Sequence, residues 1–178
     1  MQSNDRQFSV KPLLDALRAE YGDSEFGYRM QGFFAHVLVR LGAVVIEVNA
    51  QGHPDIKAHM ADELLLVQVK SAQHAYTSSV FQLSITDLEG ITCREGARGY
   101  LAYLDCAEPV SWYLVDSVTA RQFLNRPVPV AAIRGAQDRQ LSEECSNEFV
   151  DAILSAKDRL SLLTFRLLAQ RAIAGNPI

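Results

Sequence analysis

The spacing of apolar residues changes period several times along the chain. Residues 10–21, "VKPLLDALRAEY", place Leu13, Leu14 and Leu17 on one side of an amphipathic helix. "GDSEFG" interrupts that pattern. It resumes over residues 28–41 with Met30, Phe33, Phe34, Val37, Leu38 and Leu41, and Gly42 stands where a C-capping glycine belongs. The period then shortens. "AVVIEV" (43–48), residues 55–59 and "ELLLVQVK" (63–70) predict three short strands, parted by the turn-like "NAQGHP" and "MAD". "LSITDLEGITCRE" (83–95) predicts a helix capped by Ser84 or Thr86. "GYLAYLDC" (99–106) and "VSWYLVD" (110–116) predict two further strands, and "SVTARQFLN" a short helix. "RPVPVAAIRG" is expected to be extended, because two prolines interrupt a helix there. Residues 142–174 are dense in leucine and predict a long C-terminal helix.

That order suits one α/β domain over residues 1–178, with a mixed central sheet flanked by helices and a core spanning about 28–116. A chain of 178 residues is long enough for one compact core and short for two. Apolar residues make up 48% and charged residues 21%, ordinary globular usage that argues against disorder. No apolar run approaches the roughly 20 residues that cross a bilayer, and the polar N-terminus has no signal-peptide core. No membrane partner and a cytoplasmic location are therefore expected. The three cysteines are widely spaced and odd in number, which suits small core residues better than a disulfide framework or a zinc pair. His36, His59 and His74 lack zinc spacing too. A net charge of −4 argues against a generic basic coat for nucleic acid. It leaves room for a local basic face or a metal held by carboxylate. There is no phosphate-binding GxxxxGK[ST] loop and no G-x-S-x-G elbow.

The chemistry gathers around one predicted hairpin. If residues 55–59 and 63–70 pair across a turn near 60–62, Asp55 lies at the same sheet edge as Gln68 and Lys70. Gln68 and Lys70 alternate to one face; Leu65, Val67 and Val69 take the other. A carboxylate and a carbonyl-type oxygen suit Mg²⁺ or Mn²⁺. A neighbouring lysine suits an attacking water or a developing phosphate charge. Such a set is equipment for metal-assisted phosphodiester cleavage.

These residues resemble the PD-(D/E)xK nuclease superfamily. Pro54-Asp55 supplies the "PD", and Gln68-Val69-Lys70 fills the "(D/E)xK" slot in the QxK version found in Mrr-type branches. The layout of "MQGFFAHVLVRLGAVVIEVNAQGHPD" is similar to that of archaeal-type Holliday-junction resolvases. Ser71, "SITDLEGI", "GYLAYLDC" and "SWYLVD" follow in the family's order, so the likeness covers about 28–116. The resemblance implies a restriction-endonuclease-like αβββαβ core and a metal-dependent endonuclease acting on DNA in restriction, defence or repair. It implies catalytic roles for Asp55, Gln68, Lys70 and Gln31, with metal held by Asp55, Gln68 and the Val69 carbonyl. His53, Ser71 and Lys57 are the implied DNA contacts, beside Arg29, Arg40, Arg94 and Arg98 as phosphate candidates. A homodimer is expected, with the C-terminal leucines as its surface or as packing on the chain's own sheet. Trp112 is expected in the core. Two positions depart from the family pattern. The helix glutamate is replaced by Gln31 and the strand acid by Gln68, leaving Asp55 as one certain carboxylate, with Glu25 and Glu47 as nearby acids. Fewer anionic ligands weaken Mg²⁺ binding. The alternative is a catalytically inactive nuclease-fold protein that binds DNA or assembles a complex.

Overall fold

Strand β3 (Glu63–Ala72) is the middle of a five-stranded sheet of order β1-β2-β3-β4-β5. The computed structural model describes residues 3–49, 54–72, 79–123, 128–176 and 178. β1 (Val44–Val48), β2 (Ile56–Met60) and β3 form an antiparallel meander. β3 then runs parallel to β4 (Arg98–Asp105), and β5 (Ser111–Asp116) returns antiparallel to β4. The parallel step needs a crossover, which α2 (Ser79–Glu95) supplies. The result is an α/β fold with a mixed central sheet flanked by helices, and its αβββαβ element order is the one expected from the sequence.

Helices cover both faces. α1 (Ser3–Arg40), α5 (Arg139–Ser155) and α6 (Phe165–Ile173) lie on one side; α2, α3 (Ser117–Ala120) and α4 (Val130–Ala136) lie on the other. Each face has its own apolar core. Val67, Val69, Phe34, Trp112 and Phe149 belong to the first, while Leu101, Tyr103, Tyr113 and Ile133 belong to the second. Trp112 is fully buried, as the sequence implied. Its ring centroid lies 4.5 Å from Phe34 and 5.5 Å from Phe149, the latter edge-on. Such pairs add to area burial about 0.5–1.5 kcal/mol each.

Residue chemistry sets the ends of the elements. α1 closes at Gly42, whose φ of 90° allows Ala43 N to donate to Leu38 O at 2.9 Å and Gly42 N to Val39 O at 3.0 Å. The interruption read at "GDSEFG" narrows to one residue, Gly22, at φ 77° and ψ 170°, with helix on either side. β5 is an edge strand, and α5 blunts it. Ser146 Oγ accepts from Trp112 N and Ser142 Oγ from Leu114 N, both at 2.9 Å, so these two edge amides are satisfied. β1 forms the other edge and leaves Val44 and Ile46 exposed.

Three local expectations need correction. "RPVPVAAIRG" is not extended throughout, because Pro129 stands at the N-cap of α4 (Val130–Ala136), where a missing N–H costs nothing. α2 starts at Ser79, so Ser84 and Thr86 lie inside it rather than capping it. The leucine-rich C-terminus is divided, with α5 and α6 joined by a 3-10 turn at Lys157–Leu162. Phe149, Val150, Ile153, Leu160, Leu163 and Leu168 from this region are buried within the chain's own core. Cys106 and Cys145 are buried and Cys93 is exposed, all as free thiols. No helix among the described residues is long and apolar enough to cross a membrane.

Two predictions follow from the α1 packing. A Cβ on Gly32 would lie 2.6 Å from Leu168 Cβ, so α1 and α6 meet through the absence of a side chain. Gly32→Ala should destabilise the fold by about 1–3 kcal/mol in urea unfolding, despite the better helix propensity of alanine. His36 on α1 is 1% exposed, and burial, aided by the Arg171 charge, lowers its pKa from 6.5 to about 4. The unfolded chain therefore takes up this proton first. His36 should contribute its full stability above pH 6.5 and lose it as pH falls toward 4, by up to about 3 kcal/mol. His36→Gln should flatten that part of the stability–pH curve.

Candidate active site

The hairpin register brings the expected residues together. Ile56 pairs with Val67 and Met60 with Glu63, around a tight turn in which Ala61 adopts φ 52°. One step beyond the last pair, Asp55 faces Gln68. Its Oδ2 accepts from Gln68 Nε2 at 2.5 Å and from Val69 N at 2.7 Å. β1 braces the same corner, since Asn49 N donates to Asp55 O at 2.8 Å and Asn49 Nδ2 to Pro54 O at 3.2 Å. Asp55 is 3% exposed and Gln68 fully buried. A carboxylate this deep is tolerable only where donors reach it, and two do.

Beyond this pair β3 continues as Val69, Lys70 and Ser71, which form one wall of an open cleft of about 530 Å³. The other wall is a single stripe of α1: Asp23, Ser24, Gly27, Tyr28 and Gln31. The kink at Gly22 starts this half of the helix, and spacings of three and four residues keep the stripe on one face. Gln31 is 8% exposed, and its Oε1 has no hydrogen-bond partner among the described residues. A buried amide oxygen without a donor costs about 1–3 kcal/mol. It is therefore a ready acceptor for a water, a cation or a ligand N–H entering the cleft. Thus Gln31 from α1 and Lys70 and Ser71 from β3 share one cleft, with Asp55 bonded to the main chain of its wall.

Other sequence candidates lie elsewhere. His53 falls outside the described residues. Lys57 ion-pairs with Glu95 of α2 and does not line the cleft. Glu25 bonds Arg29 Nε at 3.0 Å, and Glu47 is exposed on β1, so neither lines the cleft. Arg29 is a structural residue rather than a surface cation: it is 3% exposed, lies 3.7 Å over the Tyr21 ring, and donates to the Leu160 and Ser161 carbonyls. Arg40 pairs with Glu148, and Arg98 lies near Glu63 and Asp116.

Sequence reasoning missed Asp23 and Tyr28. The available signal was the helix break itself, since a kink beside a site exposes the residues that follow it. Asp23, paired with Arg18, is the acid that reaches the cleft. Arg134 was missed as well. Its Nε donates to Tyr113 OH at 2.9 Å, and Nη2 lies 3.5 Å from Asp105. Register ties it to the same end of the sheet, because Lys70 pairs with Tyr103 and Tyr103 with Tyr113.

The donor set limits the chemistry. Among the described residues no group of three or more His, Cys, Asp or Glu converges. The oxygens at hand are one buried carboxylate, main-chain carbonyls and two amides, all hard donors suited to Mg²⁺ or Mn²⁺ and low in charge. They fit a weakly held divalent ion. Thiolate chemistry at Cys106 and Cys145 is disfavoured, since burial pushes both thiols up to about 12.

No protein-family model and no curated protein matches the chain. Among solved structures, the chain is similar to Hjc of Archaeoglobus fulgidus, a Holliday junction resolvase from an archaeal hyperthermophile. The match has a TM-score of 0.44 and 20% identity, and it covers 61% of this chain and 90% of that one.

Gln68→Glu probes the pair at the heart of the site. It would set two carboxylates where the 2.5 Å bond now stands, raising the pKa of one of them. The folded state would then hold a proton that the unfolded chain releases. The variant should be about 2–3 kcal/mol less stable than wild type at pH 8. It should recover toward pH 5, as read by urea unfolding at both values.

Proposed function

We propose that this protein is a nuclease that hydrolyses DNA phosphodiester bonds with the help of Mg²⁺ or Mn²⁺. One observation carries the reading: a buried aspartate locked to the strand that presents Lys70, beside a cleft holding an unsatisfied amide oxygen. Asp55, the Gln68 side chain and the Val69 carbonyl are the residues that would hold the cation. When bound, it supplies a Lewis acid for the phosphoryl oxygen and an activated water. Lys70 would orient an attacking water and offset the charge that builds on the phosphate. Gln31 accepts from a water in the cleft, and Ser71 donates to a phosphate oxygen. Lys57, released from Glu95, together with His53 and the exposed guanidinium of Arg134, contacts the DNA backbone. A homodimer acting on both strands and a cytoplasmic location belong to the same proposal.

A second reading draws on the bond from Gln68 to Asp55. It satisfies that carboxylate oxygen with an amide donor, so the pocket is stable without a cation. On that reading the protein binds DNA through the same cleft and does not cut it.

The test incubates supercoiled plasmid and branched DNA with Mg²⁺ or Mn²⁺, using wild type and Lys70→Ala. Lys70→Ala should cut at least about 100-fold more slowly. Equal rates would sink the hydrolytic mechanism, and metal-independent binding without cutting on any substrate would select the second reading.

A further inference from the structure

The cleft offers more than its strand wall. Tyr28 stands on the α1 side, one turn before Gln31, and its ring is backed by Phe165 of α6, with centroids 6.0 Å apart and a tilt of 55°. A ring held this way has little freedom left to lose on binding. Beside it, Gly27 opens the wall, because a Cβ built there meets no atom within 4 Å. Opposite lie an ammonium and a hydroxyl, Lys70 and Ser71, and the buried acceptor Gln31 Oε1 lies next along the helix. The cleft therefore joins a braced aromatic face, an open slot, a hydrogen-bond acceptor and the Lys70–Ser71 strand wall in about 530 Å³.

The geometry points to a binding site for one unpaired nucleotide, its base stacked on Tyr28 in the slot left by Gly27 and its phosphate on Lys70 and Ser71. This rests on the reading of the cleft as a DNA site, and it names the class of DNA. In a duplex both faces of a base are already stacked and its pairing edge is occupied. Only a base outside the stack can lie against a side-chain ring and offer an N–H to Gln31 Oε1. Base–aromatic stacking tolerates every base, since each has a π-face, so the site selects strand state rather than sequence. Single-stranded segments, forks and junctions satisfy that demand and continuous duplex does not.

The experiment titrates full-length protein into a single-stranded oligonucleotide carrying 2-aminopurine, and into the same probe fully paired. EDTA is present so that nothing is cut. Wild type should quench the single-stranded probe and leave the paired probe unchanged. Tyr28→Leu should weaken single-strand affinity roughly tenfold and remove the quenching, while Tyr28→Phe retains both. Gly27→Leu keeps the Tyr28–Phe165 contact but fills the slot, and should lose quenching while melting like wild type. Unchanged affinity and quenching in Tyr28→Leu overturns the site, as does Tyr28→Phe behaving like Tyr28→Leu, or wild type failing to bind the single strand. Because no cleavage is involved, failure of the hydrolytic mechanism leaves these results standing. Conversely, DNA cutting that depends on Lys70 but ignores Tyr28→Leu, with quenching also unchanged, removes this site alone.

Discussion

Where β2 runs out at Ile56, β3 continues for five more residues, and the amide of Val69 has no strand opposite it. Asp55 supplies the missing acceptor, and the same carboxylate oxygen takes the Gln68 side chain. This arrangement ends one ladder without leaving a buried donor unpaired. It also fixes where Lys70 and Ser71 emerge, because β3 beyond this point is held by β4 alone, through Ala72 and Asp105. The strand wall of the cleft is thus held by β4 on one side and, at Val69, by that carboxylate oxygen on the other.

The amides have a physical consequence for the site. Two acids at positions 55 and 68 would repel across a buried contact and would need a cation or a proton between them. An amide at 68 replaces that repulsion with a hydrogen bond, so the pocket can fold and remain ordered with no ion. The same exchange lowers the charge available to attract one. Stability of the empty site and affinity for metal are thus opposed here, and Gln68 lies on the side of stability. Gln31 leans the other way, since its buried Oε1 has no partner among the described residues and is open to whatever enters the cleft.

The helix wall depends on a different constraint. Gly22, at φ 77°, lets α1 change direction while remaining nearly continuous. The second half of the helix then lays Tyr28 and Gln31 along the cleft, while its other faces bury Met30, Phe33 and Phe34 in the core. Gly32, without a side chain, lets α6 approach closely enough to bring Phe165 behind Tyr28. One helix therefore serves as core element and as functional surface, and α6 stiffens both.

Much of this was legible from residue order. The helix–strand periodicity identified every strand among the described residues to within a residue or two, because β-branched and leucine runs bounded by Gly, Pro and Asp encode local structure directly. Counting back from the hairpin turn was enough to put Asp55 at the same sheet edge as Gln68 and Lys70, since strand pairing is a local matter of register. What failed locally failed for a local reason. A proline such as Pro129 starts a helix as readily as it stops one, and capping preferences could not tell Ser79 from Ser84. The long-range facts needed the folded chain. That Asp23 would be the acid at the cleft among the described residues, and that Phe165 would support Tyr28, both depend on contacts between segments distant in the chain. Sequence by itself determined the strands, their succession along the chain and the Asp55–Gln68–Lys70 edge, because these follow from alternation and short turns. Only tertiary packing decided what stands across from that edge, because the direction of α1 after Gly22 is set by the helices and sheet it lies against.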